Sequence, residues 1–317
     1  MFACTNEIEK GVEKMNIPEI SVIMLTYNRE TMVSHMIECI LNQTFKDFEF
    51  IIVDNGSSDK SGEIAESYAE KDKRIKVFHL EKSTISRGRN KGLEEAKGKY
   101  IAFVDDDDEC TEDFLEFLYN LIEENDADVA ICGSTTKDFD EKKIMNNEEA
   151  IETLLWRKYY NVAFPTKLIK AELFNENRFL ETTKYDDIYL MPKILGDAKR
   201  VAYHGNSKYN FYRHANNNSA WTQNHKLLDK ATLEEYLEVY ENRTKWLIEK
   251  FPNKKSTWEY FNWSFMISMV EKVIRLELPN CENPLEFMKA VLKEHKNEFL
   301  QNENLLDFEK EWLGKYI

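Results

Sequence analysis

Tyr100-Ile101-Ala102-Phe103-Val104-Asp105-Asp106-Asp107-Asp108 joins an apolar run to four consecutive aspartates. Tyr100 to Val104 is short, apolar and rich in β-branched and aromatic side chains, which predicts a buried strand. Four carboxylates follow at its C-terminal end, the edge where open α/β sheets bind ligands. Like charges packed this closely are costly unless protons or a cation relieve them. Mg2+ and Mn2+ favour all-oxygen sites and often share their shell with a substrate's phosphates. The tetrad therefore points to a metal holding a phosphorylated ligand. The plainer alternative is a solvated acidic loop ahead of a helix N-terminus, which favours negative charge.

Outward from that strand, residues 20–133 alternate strand and helix patterns. Ile20–Leu25, Phe48–Val53, Ile75–Leu80 and Val129–Cys132 are strand-like. Between them, Val33, Met36, Ile37, Ile40 and Leu41 recur at helical spacing, as do Ile64, Ala65, Tyr68 and Ala69. A short helix is expected from Arg89 to Lys97, and another through Phe114, Leu115, Leu118, Leu121 and Ile122. Strands spaced by helices predict an α/β fold, a mostly parallel sheet with helices on both faces. Residues 134–178 are more polar and less regular, with a helix expected around Ile151 to Trp156. From about residue 226 the pattern is helical, with Leu233, Tyr236, Leu237 and Tyr240 on one face and Trp258, Phe261, Phe265 and Met269 on another. Such stripes read as bundle core.

The chain has 317 residues, with 58 Asp and Glu against 43 Lys and Arg and a net charge of −15. That balance argues against a nucleic-acid partner, which would need a basic face. Cys4, Cys39, Cys110, Cys132 and Cys281 are scattered and odd in number, which predicts a reduced, cytoplasmic setting. No apolar stretch reaches the length of a membrane span. Docking at the inner face of the membrane and homo-oligomer formation are left open.

Four polar segments converge on one edge of the expected sheet. They are Thr26-Tyr27-Asn28, Asp54-Asn55-Gly56-Ser57-Ser58-Asp59, Ser86-Arg87-Gly88-Arg89-Asn90 in a loop before the fourth strand, and the tetrad. Asp54 or Asn55 can read a base edge, Tyr27 can stack and an arginine can bind phosphate. No GxGxxG follows the first strand and there is no GxxxxGK[ST], which weakens dinucleotide and P-loop readings.

Taken together these segments resemble the family 2 glycosyltransferases, which have the GT-A fold. The matching stretches are Ile20–Asn28, Leu41–Phe45, Ile51–Asp59, Arg89–Gly92 and Gly98–Asp108, followed by Tyr185–Ile188, Phe211–His214 and Asn218-Ser219. The resemblance implies a GT-A, Rossmann-like domain over residues 17–222 and a C-terminal helical domain over residues 223–317. It puts the family's DxD motif on Asp105, Asp106 and Asp107, with Asp107 as the leading ligand of Mn2+ or Mg2+. Asp106 or Asp105 would contact the ribose or the metal's waters, with Asp105 also a candidate metal residue. Thr26, Tyr27, Asn28, Asp54, Asn55, Arg89 and Asn90 fall where the family binds the nucleotide. The acidic pair with the catalytic base falls on Asp186 and Asp187, with Asp187 favoured. His214 falls where some members place a further metal or diphosphate contact; an ordinary structural histidine is the alternative. Three positions depart from the pattern: Leu25 replaces a common proline, Asn55 a common aspartate, and Asp186 a common glutamate.

The implied activity is inverting, metal-dependent transfer of a hexosyl or N-acetylhexosaminyl group from a nucleotide sugar, a UDP-sugar in first place. The implied acceptor is a glycan or a lipid-linked or polyol-phosphate chain, in bacterial surface polysaccharide or cell-wall synthesis. Two alternatives stay open at this point: a sugar-nucleotide nucleotidyltransferase, and a non-enzymatic cation-binding module using the tetrad.

Overall fold

A computed structural model describes residues 17–134, 139–212 and 224–317. The first half runs β1 (Ile20–Thr26), α1 (Val33–Leu41), β2 (Phe48–Asp54), α2 (Ser61–Ala69), β3 (Ile75–His79), α3 (Ile85–Glu95), β4 (Tyr100–Asp105), β5 (Glu109–Cys110), α4 (Phe114–Glu124) and β6 (Val129–Gly133). Next come β7 (Lys142–Met145), α5 (Asn147–Leu155), β8 (Lys167–Lys170), α6 (Asp186–Asp197), β9 (Val201–Ser207) and β10 (Tyr209–Asn210). Helices α7 (Lys230–Lys250), α8 (Lys255–Arg275), α9 (Glu282–Glu294), α10 (Lys296–Leu300) and α11 (Asp307–Tyr316) complete the described chain.

Eight strands form one sheet in the order β3-β2-β1-β4-β8-β6-β9-β7. The pairs β3/β2, β2/β1, β1/β4 and β6/β9 are parallel, whereas β8 lies antiparallel between β4 and β6 and β7 closes the edge antiparallel to β9. The mostly parallel GT-A-type sheet is therefore as expected. The strands β7 and β8, in a segment read as irregular, are additions to that expectation. Strand alternation splits the core into two layers. Val22, Met24, Phe50, Ile52, Ala102 and Val104 pack with α1 and α4 on one face. Ile23, Ile51, Val53, Ile101 and Phe103 pack with α3, α5 and α6 on the other, and the C-terminal helices extend that second layer through Leu233, Trp258 and Ile267.

One local expectation is corrected. Ser86–Asn90 are not a loop but the opening turns of α3, which starts at Ile85 rather than Arg89. The Thr84 side chain caps it by accepting from the Arg87 backbone N–H at 3.2 Å. Gly88 and Gly92 then let the helix lie directly on β1: a Cβ there would come within 2.6 Å of Leu25 and 2.4 Å of Ile23. Two glycines in a polar run hide the helix from a hydrophobic-period reading.

The register aligns the ends that matter. Thr26 sits opposite Asp54 and Leu25 opposite Asp105, so β1, β2 and β4 deliver their C-terminal residues to one edge.

Candidate active site

A cleft of about 700 Å3 opens at that edge. Strand ends supply Thr26, Asn55 and Asp105–Asp108, α3 supplies Arg89, the start of α6 supplies Asp186 and Asp187, and residues 161–165 form a wall. All four tetrad carboxylates thus line one space, at the mouth of a parallel sheet.

The tetrad is short of positive charge. Burial pushes the Asp106 carboxyl up to about 7, opposed by the neighbouring Thr26 hydroxyl and reinforced by Asp107. Burial likewise pushes Asp108 up to about 8, with Asp105 adding repulsion. Asp106 Oδ2 and Asp108 Oδ2 are buried with no hydrogen-bond partner. Asp108 Oδ1 does accept from the Tyr212 N–H at 2.8 Å, and the Tyr209 hydroxyl accepts from the Asp105 N–H at 3.0 Å. The two-stranded ribbon of β5 with β10 holds these tyrosines beside the tetrad. Arg29 is the near cation on the β1 side, 3.7 Å from Asp106 and 4.0 Å from Asp107.

Across the cleft the two carboxylates of α6 are treated differently. Asp186 is 1% exposed, and both its oxygens are taken. The Ser86 hydroxyl donates to Oδ2 at 2.8 Å and Arg89 donates to Oδ1 at 3.2 Å. Arg89 also lies 3.7 Å from Asp105 and so ties the two acidic groups together. Asp187 accepts at Oδ1 from the Ile188 N–H at 2.8 Å. Its Oδ2 has no hydrogen bond among the described residues. Burial pushes the Asp187 carboxyl up to about 6, with repulsion from Asp186 adding to it and Arg89 opposing.

Other expected site residues are occupied by the protein itself. Asp54 Oδ1 accepts from the Ser57 N–H at 3.0 Å and Oδ2 lies 2.9 Å from His79 Nδ1. Asn28 adopts φ 52° and accepts from the Ser58 N–H at 2.8 Å. Asn90 clasps the backbone of Phe179, donating at 2.9 Å and accepting at 3.0 Å. None of these three side chains lines the cleft, whereas Thr26, Tyr27, Asn55, Arg89, Asp105, Asp106, Asp107, Asp186 and Asp187 do. His214 lies outside the described residues.

Other contributions are not readable from a motif. Arg29 acts on Asp106 and Asp107, and Ser86, within a segment already singled out, acts on Asp186 far along the chain. Lys167 is fully buried and donates to the Ala163 carbonyl at 2.6 Å, bracing the wall at residues 161–165. Its burial presses the ammonium pKa down to about 7.

The donor set suits a hard cation. Among the described residues no three His, Cys, Asp or Glu side chains form a ready-made cage. Mg2+ and Mn2+ do not require one, because they are commonly held by one or two carboxylates plus water and substrate phosphates. Buried carboxylate oxygens without donors, on groups whose ionisation burial opposes, are what such an ion would satisfy.

Comparison with known proteins agrees with this architecture. The model of the family described as glycosyl transferase family 2 matches residues 21–182. The glycosyltransferase GlyG of Streptococcus pneumoniae serotype 4 is 35% identical over 212 residues, covering 61% of this chain and 70% of GlyG. Matches to three further relatives take in only 34–39% of those proteins. Among solved structures, S. aureus TarS 1–349 in complex with UDP-GlcNAc superposes with a TM-score of 0.58 at 18% identity, covering 90% of this chain and 89% of that one. The mannosyltransferase PcManGT of Pyrobaculum calidifontis, in complex with GDP-Man and Mn2+, gives 0.55 at 14% identity, covering 90% and 88%.

Proposed function

The chain belongs to glycosyl transferase family 2, and from that premise we propose a metal-dependent, inverting transfer of a sugar from a UDP-sugar to a hydroxyl of a glycan or polyol-phosphate acceptor. Membership as a glycosyltransferase sets aside the cation-binding module and the nucleotidyltransferase. The observation that carries the finer reading is the cleft itself: the acidic tetrad and Asp187 at the start of α6 line one space, in which the buried Oδ2 atoms of Asp106 and Asp108, flanking Asp107, have no hydrogen-bond partner.

Asp107 and Asp105 are assigned to the cation and Thr26, Tyr27 and Asn55 to the nucleotide. Asp54 shapes the loop that presents Asn55. When bound, the cation would supply the positive charge that a departing diphosphate needs. The remaining chemistry belongs to the chain. An acceptor hydroxyl is a poor nucleophile until a base takes its proton, and a carboxylate whose pKa lies near the working pH suits that task. Asp187 fits better than Asp186, whose oxygens are already claimed by Ser86 and Arg89. Arg89 and Ser86 are positioning residues: they fix Asp186, and with it the first turn of α6 that holds Asp187. One base acting opposite the leaving group implies in-line attack and inversion. A glycoside hydrolase would instead need an acid on the leaving oxygen as well as a second carboxylate. The complexes of TarS with UDP-GlcNAc and of PcManGT with GDP-Man and Mn2+ support the choice of donor class and cation.

Residues 17–222 would form the donor-binding and catalytic unit and residues 223–317 a helical unit addressing the acceptor or a second subunit. Among the described residues no helix is long and apolar enough to cross a membrane. We place the reaction in the cytoplasm, at or near the inner membrane face, in surface-polysaccharide or cell-wall synthesis.

Calorimetric titration of UDP with and without Mn2+ tests the reading on the wild type and on Asp107→Ala. Manganese-dependent binding that the variant loses is the expected result. Equal binding by both proteins would remove Asp107 from the metal site, and no binding by either would overturn the UDP-sugar assignment.

A further inference from the structure

A second cavity, of about 290 Å3, lies between α7, α8 and the residues just after α5. Its walls carry Arg157, His225, Arg243 and Lys272, and among the described residues no acidic side chain lines it. Ser264, Ser268 and Lys272 are spaced four apart on α8 and present one polar stripe to it. We propose that this cavity binds a phosphate- or carboxylate-class oxyanion and that the oxyanion is the charged part of the acceptor, an assignment that rests on the transferase reading above.

Arg243 is the strongest indication. It is 4% exposed, and its Nε is buried with no hydrogen-bond partner. Its guanidinium lies 4.1 Å from the centre of the Tyr240 ring, which relieves part of the desolvation. Among the described residues neither Arg243, Arg157 nor Lys272 has a carboxylate within ion-pair distance. The adjacent acid, Glu271, is engaged by Arg275 in an i,i+4 pair. A buried guanidinium without a counter-ion is costly, and an arginine cannot escape by losing its proton. Burial holds the Lys272 ammonium below its usual pKa, opposed by the charge of Glu271 and reinforced by Arg275 and Arg157. Burial and the charge of Lys272 do the same to His225. An oxyanion would relieve these groups together; Ser264 and Ser268 also line the space, and the Ser268 hydroxyl oxygen accepts from Lys272 at 2.6 Å.

The position identifies the source of the oxyanion. Arg157 and Tyr236 line both this cavity and the donor cleft, so the two spaces adjoin. Arg157 holds φ 49°, a left-handed conformation that is strained for a non-glycine residue. It turns the chain at the end of α5 with its side chain between the two spaces. The donor's diphosphate is already assigned to the acidic tetrad through a cation. An anion held by Arg157, Arg243 and Lys272 is therefore a separate group, seated on the α7–α8 side of the cleft. The cavity is also larger than one phosphate fills, leaving room for the polyol or sugar that carries it.

The test is a calorimetric titration of the whole protein with inorganic phosphate in metal-free buffer, where the tetrad repels anions. Acetate serves as the second probe. The wild type should bind phosphate saturably, and Lys272→Gln and Arg243→Met should each weaken binding at least tenfold, with thermal melts confirming that both variants fold. No saturable binding by the wild type, or equal binding by folded variants, overturns the site. Preference for acetate over phosphate assigns the carboxylate class, and the reverse assigns the phosphate class. For the acceptor half, donor consumption is compared over matched neutral and phosphorylated alcohols. The charged member should be used at least tenfold more efficiently, with Lys272→Gln erasing the preference through KM. Equal use of both members overturns the acceptor assignment. Manganese-dependent UDP binding, read on the same samples, reports separately on the transferase reading, so its failure is not confused with failure of the anion site.

Discussion

The cleft and the helical cavity are two neighbouring places where the fold leaves charge uncompensated, with opposite signs and opposite remedies. In the cleft, burial lifts Asp106 to about 7 and Asp108 to about 8, so the carboxylates can take up protons when no cation is present. In the cavity, Arg243 has no such exit. The acidic side is therefore graded by pH over the physiological range, whereas the basic side keeps its guanidinium charge throughout. A cation must compete with protons for the cleft, and an anion meets no such competition at Arg243.

The sharpest way to break this division of roles is Asp187→Asn. As the base, it should cost roughly 10²- to 10⁴-fold in kcat while UDP affinity stays unchanged. A variant that retains kcat would place the base elsewhere.

Arg89→Met comes next. It leaves the buried Asp186 without its cation and should destabilise the fold by about 3–5 kcal/mol in denaturant unfolding. Adding Asp186→Asn should recover most of that loss. A double variant no more stable than Arg89→Met would show that the pairing with Asp186 is not what Arg89 contributes.

A smaller effect is expected from pH. Asp187 works as a base only when ionised, and its pKa is raised to about 6, so kcat should fall as pH drops through about 6. A flat profile between pH 5 and 8 would exclude it.

The smallest effect concerns stability. A carboxyl whose pKa is raised on folding is held protonated by the folded state after the unfolded chain has lost its proton. Stability therefore declines as pH climbs from the ordinary carboxylate range to about 8. Asp108→Asn keeps the oxygen that accepts from Tyr212 and removes the charge. It should raise Tm by a few degrees at pH 8 and by little at pH 4. An equal shift at both values would mean that charge is not the cause.

The parallel half of the sheet was legible because each of its strands is an apolar run and each ends in a polar turn. What stayed hidden has physical causes. Strand β8 begins with Lys167, which reads as polar although its ammonium is spent on the Ala163 carbonyl. Strand β7, Lys-Lys-Ile-Met, is an edge strand with little to bury. Helix α6 contains Pro192, a helix-breaking signal in sequence. In the site, the clustering of acids at the strand ends was readable because it is local. The pairing of Ser86 and Arg89 with Asp186 spans 100 and 97 residues and leaves no local trace. Asp54, Asn28 and Asn90 look like ligand-binding groups in sequence, but their polar atoms close turns and clasps within the protein. Turn-forming Asp and Asn carry the same signature as base-reading ones.

The placement of β8 also governs how the chain can assemble during synthesis. Strand β4 and strand β6 both emerge before the strand that separates them. A nascent chain that has reached residue 160 already carries both β4 and β6, each with a bare edge awaiting the same insert. Open edges invite wrong pairing, either directly between β4 and β6 or with another chain. Only when Lys167–Lys170 enters antiparallel does the seam close. The catalytic edge waits longer still, for Asp186, Asp187 and the Tyr209–Tyr212 segment that braces the tetrad. The acidic strand end is thus made about 80 residues before the α6 carboxylates and about 100 before the segment that braces it.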